Sequence, residues 1–487
     1  MTHRLKSLVT GLAVAAGLGT LTGARAAPPV PAEMTVRLAG ASSIGERLTR
    51  DAVAVWARKS GFPSLRTDTD IDPSKYEIVG QAAESARQLR VGVTSKGSNA
   101  GFEPLLRGQA DLWMASQQVQ QSDIDAMNGK GLKGVPTLAQ MQTHGTENVI
   151  GLDALAIVSS PKNPVKRLTL AQIKDLFQGR ITNWSAVGGA NLPVKLYTMD
   201  SGAGYADVFC GQVIGIADVP ACIASLARLA APVFDASDDL TDQVAADPGS
   251  LSFVAFQDKR DARAMQIGTA CGTALEPNSF LVQSNEYPLA RRLYLYANPM
   301  KPLSQTARSY LDFVLSPEGQ NAITMTGFAT LTPSLSPEDY SSARLDAAAE
   351  AQDGGRTRVR VGDSRAFQEA VGGGDRLSIT FRFQSGTSEL DSRSIADLAR
   401  LAAVVGAPAN AGKQVVLIGF SSAIGDYARN RVLSADRAAG IRELLTTKYG
   451  VKDVVSVGVG PAAAVACNLD ASAALNQRVE VWLRKRS

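Results

Sequence analysis

The sequence predicts an α/β fold over residues 27–333, followed by a smaller α+β domain over residues 376–487. Two observations predict this arrangement. Short strand-like runs alternate with longer helix-like runs in the first part, and the composition changes over residues 334–375. A chain of 487 residues is also long enough for two or three domains of about 100–200 residues each.

The strand and helix signals of the first part follow one another along the chain. Residues 34–39 alternate apolar and polar side chains, as a strand does, and residues 44–59 have the apolar spacing of an amphipathic helix. Residues 149–159 form an apolar run typical of a buried strand. Residues 168–177 have helical spacing, with Thr169 at the N-cap position. Alternation of this kind predicts that ligands bind near the ends of strands.

The second part begins after a change in composition. Residues 334–375 are rich in Ser, Ala, Asp and Arg and include three consecutive glycines at 372–374, so we predict a flexible linker. In the domain beyond the linker, we expect the helix over residues 433–449 to be capped by Ser434 or a neighbour. The elements predicted there are a strand over 377–383, a helix over 392–405, a strand over 414–419, a helix over 433–449 and strands over 454–458 and 478–483.

The first 26 residues have the layout of a secretory signal peptide. Arg4 and Lys6 precede an apolar run over residues 8–21, and small residues around Arg25 suit cleavage after Ala26. The apolar run is too short and too rich in glycine for a membrane span. Cleavage would remove three positive charges and lower the formal net charge from +4 to +1. We therefore expect an exported, periplasmic protein.

The remaining charges and residue types argue against several functions. No basic stripe remains apart from residues 484–486, which we interpret as a solvated end, so nucleic acid is not expected as a partner. His144 is the one histidine outside the predicted signal peptide. A histidine-based zinc site or a Ser-His-Asp triad therefore lacks its residues. We predict no enzyme activity, no metal and no cofactor.

Four cysteines are present, at positions 210, 222, 271 and 467. An even number in an oxidising compartment favours disulfides, and Cys210 with Cys222 is the pair closest in sequence. The pairing of Cys271 and Cys467 stays open, and so does the alternative that either is a buried thiol.

Six short stretches occur in one order along the first part. They are Leu38-Ala-Gly-Ala-Ser-Ser-Ile-Gly45, Gly97-Ser-Asn-Ala-Gly-Phe102, Gly108-Gln-Ala-Asp-Leu-Trp-Met-Ala-Ser116, Ile181-Thr-Asn-Trp-Ser-Ala-Val-Gly-Gly189, Tyr287-Pro-Leu-Ala-Arg291 and Ser316-Pro-Glu-Gly-Gln320. The ordered set resembles the PstS-like periplasmic phosphate-binding family. The resemblance implies a two-lobed periplasmic binding protein (type II) fold that closes on an oxyanion and delivers it to an ABC permease.

The resemblance also implies ligand residues in the first lobe. Ser43, Ser98 and Asp111 fall where the family places anion contacts. A serine at a helix start and a serine beside glycines can present donors to an anion, and Asp111 would accept a hydrogen bond from a protonated anion such as monohydrogen phosphate. Each residue also has a purely structural interpretation, as a helix cap, a loop serine and a turn aspartate.

The second lobe departs from the family pattern. Met199 stands where the family has an arginine, Ala203 replaces its serine and Tyr205 replaces its threonine. Three interpretations stay open. Ser201 and the Tyr205 hydroxyl could supply the missing donors, the pocket could accept a neutral or larger ligand, or the lobes could serve protein contacts alone.

Four stretches of the second part carry another resemblance. They are Phe381-Arg-Phe-Gln-Ser-Gly-Thr-Ser-Glu-Leu390, Leu417-Ile-Gly-Phe-Ser-Ser-Ala-Ile-Gly425, Asn430-Arg-Val-Leu-Ser-Ala-Asp-Arg-Ala438 and Asn476-Gln-Arg-Val-Glu480. They resemble the OmpA-like peptidoglycan-associating domain. The resemblance implies that Arg437 grips a carboxylate of the wall stem peptide, whereas Ser422 stands where the family has an aspartate for the ligand ammonium. An uncharged serine predicts weaker wall binding, which Asp426 or Asp436 could partly offset.

Two functions follow from these resemblances. The first is a periplasmic solute-binding protein for phosphate or a related small oxyanion, associated with peptidoglycan through its OmpA-like domain. The alternative is a structural or interaction protein at the cell wall whose lobes have lost small-anion binding. The expected partners are the oxyanion, peptidoglycan and an ABC permease or another envelope protein. The expected location is the periplasm, at the cell wall or the outer membrane. The ligand and the oligomeric state stay open.

Overall fold

A computed structural model gives the structure of the chain. It describes residues 33–199, 205–216, 218–230, 232–234, 236–268, 274–336, 361–384, 387–467 and 471–486. The predicted signal peptide, Ser201, Ala203 and Cys271 lie outside the described residues. We call residues 33–336 the first domain and residues 361–486 the second domain.

The strands of the first domain build one large mixed sheet and two small ones. In the described residues the large sheet has the strand order β2-β3-β4-β1-β5-β15-β6-β11-β8, and β12 also pairs with β6. The strands are β1 Glu33–Gly40, β2 Ser64–Thr69, β3 Lys75–Gln81, β4 Gln88–Ser95, β5 Leu112–Ala115, β6 Glu147–Ser159, β7 Arg167–Thr169, β8 Lys195–Leu196, β9 Thr198–Met199, β10 Val233–Phe234, β11 Ser250–Ala255, β12 Arg263–Ala264, β13 Gln266–Gly268, β14 Ala274–Leu275 and β15 Ala290–Ala297.

Helices of the first domain cover both sides of these strands. They are α1 Thr49–Lys59, α2 Phe102–Leu106, α3 Gln121–Gly129, α4 Leu138–Met141, α5 Leu170–Phe177, α6 Ala206–Val208, α7 Val219–Ala227, α8 Ser237–Ala246, α9 Ser279–Gln283, α10 Gln305–Leu315 and α11 Pro317–Met325. A π-helical turn, Ile44–Leu48, leads into α1, and a second, Phe209–Ile214, follows α6. Thr169 caps α5 as expected, because its side chain accepts a hydrogen bond from the Gln172 amide.

The two lobes of the first domain share the sheet through β15, and one hydrophobic cluster extends from α2 and β5 of the first lobe to α5 and β11 of the second. In the first lobe, α10 packs on β1 and on α1, and Trp56 of α1 contacts Tyr310 of α10 edge-to-face. In the second lobe, Phe209 stacks on Phe253 of β11 with ring centroids 3.7 Å apart. β15 pairs antiparallel with β5 on one side and with β6 on the other. Strands β15, β5 and β6 therefore connect the lobes.

The second domain packs helices on a four-stranded sheet of order β16-β19-β17-β18 in the described residues. Its core joins residues such as Leu377, Leu417, Ile441 and Val481. The elements are α12 Val361–Val371, β16 Asp375–Phe381, α13 Ser392–Gly406, β17 Lys413–Phe420, α14 Tyr427–Tyr449, β18 Val454–Gly458 and β19 Arg478–Lys485.

The structure corrects two expectations about the second part. The helix predicted over 433–449 begins at Tyr427 and is capped by Asp426, whose side chain accepts from the Arg429 amide. Ser434 lies buried within this helix and does not cap it.

Within the segment expected to be a flexible linker, α12 packs Phe367 against the sheet of the second domain, edge-to-face with Trp482. Ser336 donates its amide to the carbonyl of Arg376 in β16. The linker boundaries at 334 and 375 stay a prediction.

The second domain is docked on the first through buried charges. The Arg376 guanidinium on β16 contacts the carboxylates of Glu286 in the first domain and Glu480 on β19. All three side chains are fully buried. Arg292 on β15 pairs with Asp391 at 2.7 Å. The Arg393 guanidinium donates to the Gln283 carbonyl at 2.6 Å. These contacts fix the orientation of the second domain against the face of β6 and β15.

No single helix in the described ranges is long and apolar enough to cross a membrane. One bent helix pair, Ala206–Ile214 with Val219–Ala227, passes the same test of length and composition.

Arg376→Met tests the docking contact. The substitution leaves the Glu286 carboxylate buried without its guanidinium, so we expect the free energy of unfolding to fall by about 3–5 kcal/mol. Urea denaturation at neutral pH measures this loss. Arg66→Met is the control because Arg66 and its partner Asp68 are both more than half exposed, and we expect little change there. Equal losses in the two variants would contradict a buried, stabilising contact.

Candidate functional site

A cleft between the two lobes lies at the carboxyl ends of three first-lobe strands. β1 runs parallel to both β4 and β5, so the residues that follow these strands meet at one edge of the sheet. These residues are Ser43, Ser98 and Ser116. We call the space between them and the second lobe the cleft.

Ser98 belongs to a hydrogen-bonded chain that crosses the cleft. Its hydroxyl lies 2.9 Å from the Ser116 hydroxyl and accepts from the Ser116 amide at 3.0 Å. The Ser116 hydroxyl donates at 2.8 Å to the carboxylate of Asp207 on α6 of the second lobe. Gly97, with φ +94°, has the left-handed conformation that lets the chain turn just before Ser98. Ser116 and Asp207 therefore join the lobes directly.

Asp207 also contacts a buried arginine. Arg291 on β15 lies 3.0 Å from Asp207 and 2.8 Å from Asp153 of β6. Burial opposes the charge of Arg291, but the two carboxylates outweigh it and raise the pKa of the guanidinium. Burial raises the pKa of Asp153, although Arg291 opposes that shift. One guanidinium is thus shared by two carboxylates, and both oxygens of Asp207 already accept hydrogen bonds within the protein.

A cavity of about 490 Å³ lies on one side of this chain, and Ser43 and Tyr205 are among the residues that line it. The Ser43 Oγ and the Tyr205 Oη are buried and have no hydrogen-bond partner among the described residues. Ser43 precedes the π-helical turn, but its side chain does not cap it. Burial raises the pKa of Tyr205, so its hydroxyl stays protonated at neutral pH. Buried hydroxyls without a partner are uncommon in folded proteins, so both are candidates for a hydrogen bond to a ligand in this cavity.

A second cavity, of about 620 Å³, lies on the other side and is lined by Ser98, Ser116, Asp207 and Lys96. The two cavities share Ser42, so they are two halves of the cleft. Met199, which replaces the arginine of the family pattern, ends β9 and lines the first half. The structure thus brings Ser43, Ser98 and Tyr205 to one cleft, while Ser201 lies outside the described residues.

Asp111 requires a correction. Its carboxylate accepts hydrogen bonds from the Arg37 amide at 2.8 Å and from the Arg37 guanidinium at 2.9 Å. Asp111 precedes β5 whereas Ser116 follows it, so they lie at opposite ends of the strand, roughly 15 Å apart at about 3.3 Å per residue. Asp111 does not line either half of the cleft. Among the carboxylates that do line the cleft is that of Asp207, which no sequence motif indicated.

The expected disulfide between Cys210 and Cys222 is confirmed. It joins the π-helical turn after α6 to α7 and so braces the segment that carries Asp207. Cys467 is also disulfide-bonded.

Arg437 of the second domain is a buried cation with neutral partners. Its guanidinium donates to the Thr387 carbonyl at 2.8 Å and to the Gln477 side chain at 3.3 Å, and it lies 4.4 Å from the centre of the Phe383 ring. No carboxylate of the described residues lies within 4 Å of it. Burial lowers the pKa of Arg437. A guanidinium held in this way can accept an anionic group.

Ser422 lies where β17 ends, against the same helix. Its side chain is 5 % exposed, and its carbonyl accepts from the Asn430 side chain at 3.1 Å. Of the two candidate substitutes for a carboxylate here, Asp426 is the N-cap of α14 and Asp436 is exposed.

Two family models match the chain. A model described as a PBP superfamily domain matches residues 72–318, and a model described as the OmpA family matches residues 382–465. The matches fall on the first and the second domain respectively.

Curated relatives and solved structures also match the first domain. Protein SphX of Synechococcus elongatus is 24% identical over 261 residues, which cover 51% of this chain and 71% of SphX. The phosphate-binding protein PstS of Pseudomonas aeruginosa is 25% identical over 348 residues, covering 67% of this chain and 95% of PstS. The crystal structure of a putative phosphate ABC transporter substrate-binding protein with bound phosphate from Clostridium perfringens has a TM-score of 0.40 and 23% identity, covering 61% of this chain and 99% of that chain.

The first domain has the two-lobed periplasmic binding fold and the second has the OmpA-like fold. Because the first family model covers residues 72–318 of 487, more than half of the sequence, the chain belongs to the PBP superfamily and carries an OmpA family domain after it.

Proposed function

We propose that the chain is a periplasmic solute-binding protein whose cleft binds a small protonated oxyanion, with phosphate as the first candidate. The observation that carries the proposal is the pair of buried, unpartnered hydroxyls of Ser43 and Tyr205 in a cleft that also holds the Asp207 carboxylate. Donors suit the unprotonated oxygens of such an anion, and a carboxylate suits its remaining O–H.

Asp207 gives the proposed site its selectivity. A monohydrogen phosphate can donate a hydrogen bond to Asp207, whereas a fully deprotonated sulfate would face it acceptor to acceptor. Arg291 is already paired with Asp153, so it offers the ligand less net positive charge than an unpaired guanidinium would. The proposed ligand must therefore replace the Ser116 hydroxyl as the donor to Asp207.

The sequence comparisons support the same class of ligand. Several curated relatives are named phosphate-binding proteins, and their similarity spans the first domain. The layout of residues 1–26 supports export, and an ABC permease is the proposed partner in transport. The proposal is a binding protein and includes no catalytic step.

The second domain is proposed to bind peptidoglycan. Arg437 is buried with neutral partners, which suits the carboxylate of a stem peptide. Ser422 offers a hydroxyl but no charge to an ammonium, so the proposed binding is weaker than an arginine and aspartate pair would give.

A second function, as an interaction protein at the wall, is favoured by one observation. The cations near the cleft in the described residues already have carboxylate partners: Arg291 with Asp153 and Asp207, Arg47 with Asp258 at 2.9 Å, and Lys96 with Asp72 at 2.6 Å. Such a cleft needs no anion for neutrality. In this alternative, neither phosphate nor sulfate binds.

Asp207→Asn tests the role of the carboxylate. We expect the unsubstituted protein to bind phosphate and to reject sulfate, and we expect the phosphate-to-sulfate affinity ratio to fall at least about tenfold in the variant, since an amide can donate to either anion. Isothermal titration with both anions measures the ratio. Asp218→Asn is the matched control, because Asp218 lines the same half of the cleft and an asparagine keeps its role as the N-cap of α7. No phosphate binding by the unsubstituted protein would overturn the oxyanion proposal.

Tyr205→Phe is expected to change protein stability and phosphate affinity in opposite directions. Removing a buried hydroxyl without a partner should raise the free energy of unfolding by about 1 kcal/mol in the absence of ligand. The same change should weaken phosphate binding about tenfold, because the ligand loses a donor. Tyr287→Phe is the contrast: its hydroxyl donates to the Leu155 carbonyl, so stability should fall and phosphate binding should stay the same. Urea denaturation with and without phosphate measures both effects, and a loss of stability in Tyr205→Phe would contradict the unpartnered hydroxyl.

Ser422→Asp tests the wall site by restoring a charge. A carboxylate at this position should tighten binding to purified cell-wall sacculi about tenfold, because a charge-assisted hydrogen bond to the ligand ammonium replaces a neutral one. Cosedimentation measures the bound fraction. Ser85→Asp adds the same charge at an exposed position of the first domain and should have no effect. Unchanged binding in Ser422→Asp, or full binding in Arg437→Met, would contradict this site.

A further inference from the structure

The strand β2 forms one edge of the large sheet. It pairs with β3 on one side, and no strand of the described residues pairs with its other side. Its six residues pair with β3 without a register shift, and all of them except Leu65 are exposed. The sheet ends at its opposite side in β8, which has only two residues. β2 is therefore the long, regular edge of the sheet, and such an edge can pair with another strand.

One hydrogen bond of the β2–β3 hairpin shows which backbone groups of β2 are turned outward. The Asp70 amide donates to the Lys75 carbonyl at 3.1 Å, where the pairing of the two strands ends. The backbone groups of successive residues in an antiparallel strand alternate between its two sides, so residues 64, 66 and 68 also face β3. The amides and carbonyls of Leu65, Thr67 and Thr69 therefore point away from β3, toward the open edge.

The side chains of β2 include one charge of each sign. Arg66 and Asp68 are two residues apart, so they lie on the same face of the strand, and their side chains are 62% and 51% exposed. Within one chain they contact each other, with 3.1 Å between the Arg66 Nε and an Asp68 carboxylate oxygen. An exposed pair of this kind adds little to the stability of a single chain. Both charges are thus accessible to a second strand at the edge.

These two charges select one register for the pairing of β2 with the β2 of a second copy. A two-fold axis at Arg66 would place the two Arg66 side chains opposite each other, and an axis at Asp68 would do the same with two carboxylates. An axis at Leu65 or Thr69 would pair only the ends of the strands. An axis at Thr67 places each Arg66 opposite the Asp68 of the second copy, in pairs whose Cα atoms lie about 4.5 Å apart. The outward-facing residues then form the hydrogen-bonded pairs, as an antiparallel ladder requires.

We propose that β2 is a contact between two copies of this chain, paired antiparallel about Thr67 so that their large sheets continue into one. Two ion pairs between Arg66 and Asp68 cross the contact. Ile71, which is fully exposed just beyond β2, lies opposite the exposed Pro63 of the second copy in this register. The self-complementary charges favour a second copy over a strand of another protein, which needs no such symmetry. The pair carries two clefts and two second domains.

Charge reversal on β2 tests both the contact and its register. Arg66→Asp places carboxylates opposite each other, and Asp68→Arg places guanidiniums opposite each other, so we expect each variant to weaken self-association at least about tenfold. The double variant carries opposite charges in the same register, and its self-association should return to within about threefold of the unsubstituted protein. Arg308→Asp is the matched control, because it makes the same change at an exposed arginine of α10. Sedimentation equilibrium of the full-length protein measures each dissociation constant.

Thr67→Pro tests the backbone pairing separately. Proline removes an amide that points away from β3, and proline is tolerated on edge strands, so we expect each chain to stay folded while self-association is lost. Urea denaturation at low protein concentration verifies the fold.

Three results would overturn the inference. The first is an unsubstituted protein that stays monomeric up to about 1 mM. The second is a dimer that the charge reversals and Thr67→Pro leave unchanged, because it would use another surface. The third is a double variant that associates no better than the single variants. Loss in each single variant, recovery in the double variant and no change in Arg308→Asp would support it.

Discussion

The architecture depends on two adjacent arginines of β15, one at the cleft and one at the contact with the second domain. Arg291 is buried between Asp153 and Asp207 and so joins the sheet to the cleft, whereas Arg292 pairs with Asp391 and so joins the sheet to the second domain. Successive residues of a strand point to opposite faces, which is why neighbours in sequence serve different regions. A buried guanidinium needs its carboxylate partners, since an uncompensated charge in the interior is strongly destabilising. The position of β15 is therefore constrained from both sides.

The cleft and the second domain differ in how their charged side chains are paired. In the cleft, the described cations are paired with the protein's own carboxylates, and the unused groups are the neutral hydroxyls of Ser43 and Tyr205. In the second domain the opposite holds, because Arg437 and Arg382 are buried cations whose hydrogen-bond partners are neutral. A cleft of this kind suits the proposed binding through hydrogen bonds and the proposed selection by the protonation state of the anion. The buried guanidinium of Arg437 suits the proposed binding of a carboxylate by the second domain.

Sequence patterns predicted the local elements well where side-chain periodicity was strong. The alternating residues 34–39 and the apolar residues 149–159 lie in β1 and β6 as expected. The start of α14 was missed because its first turn, residues 427–430, has no buried apolar side chain, and only the Asp426 cap indicates it. Asp207 was missed because its partners Ser116 and Arg291 lie 91 and 84 residues away, which no local motif can reveal. Asp111 was placed in the site because a motif does not tell which end of a strand faces the ligand. The docking of the domains was likewise not predicted, since it depends on buried pairs between distant arginines and acids.

The identity of the ligand retained by the protein tests the central claim most directly, namely that the cleft selects a small protonated oxyanion. Native mass spectrometry of the full-length protein, purified without added phosphate or sulfate, measures the mass of any molecule that remains bound. We expect a single added mass equal to that of phosphate or a closely related protonated oxyanion, with a smaller bound fraction when the Tyr205 hydroxyl is removed. A retained cationic or large neutral molecule, or a bound sulfate, would contradict it.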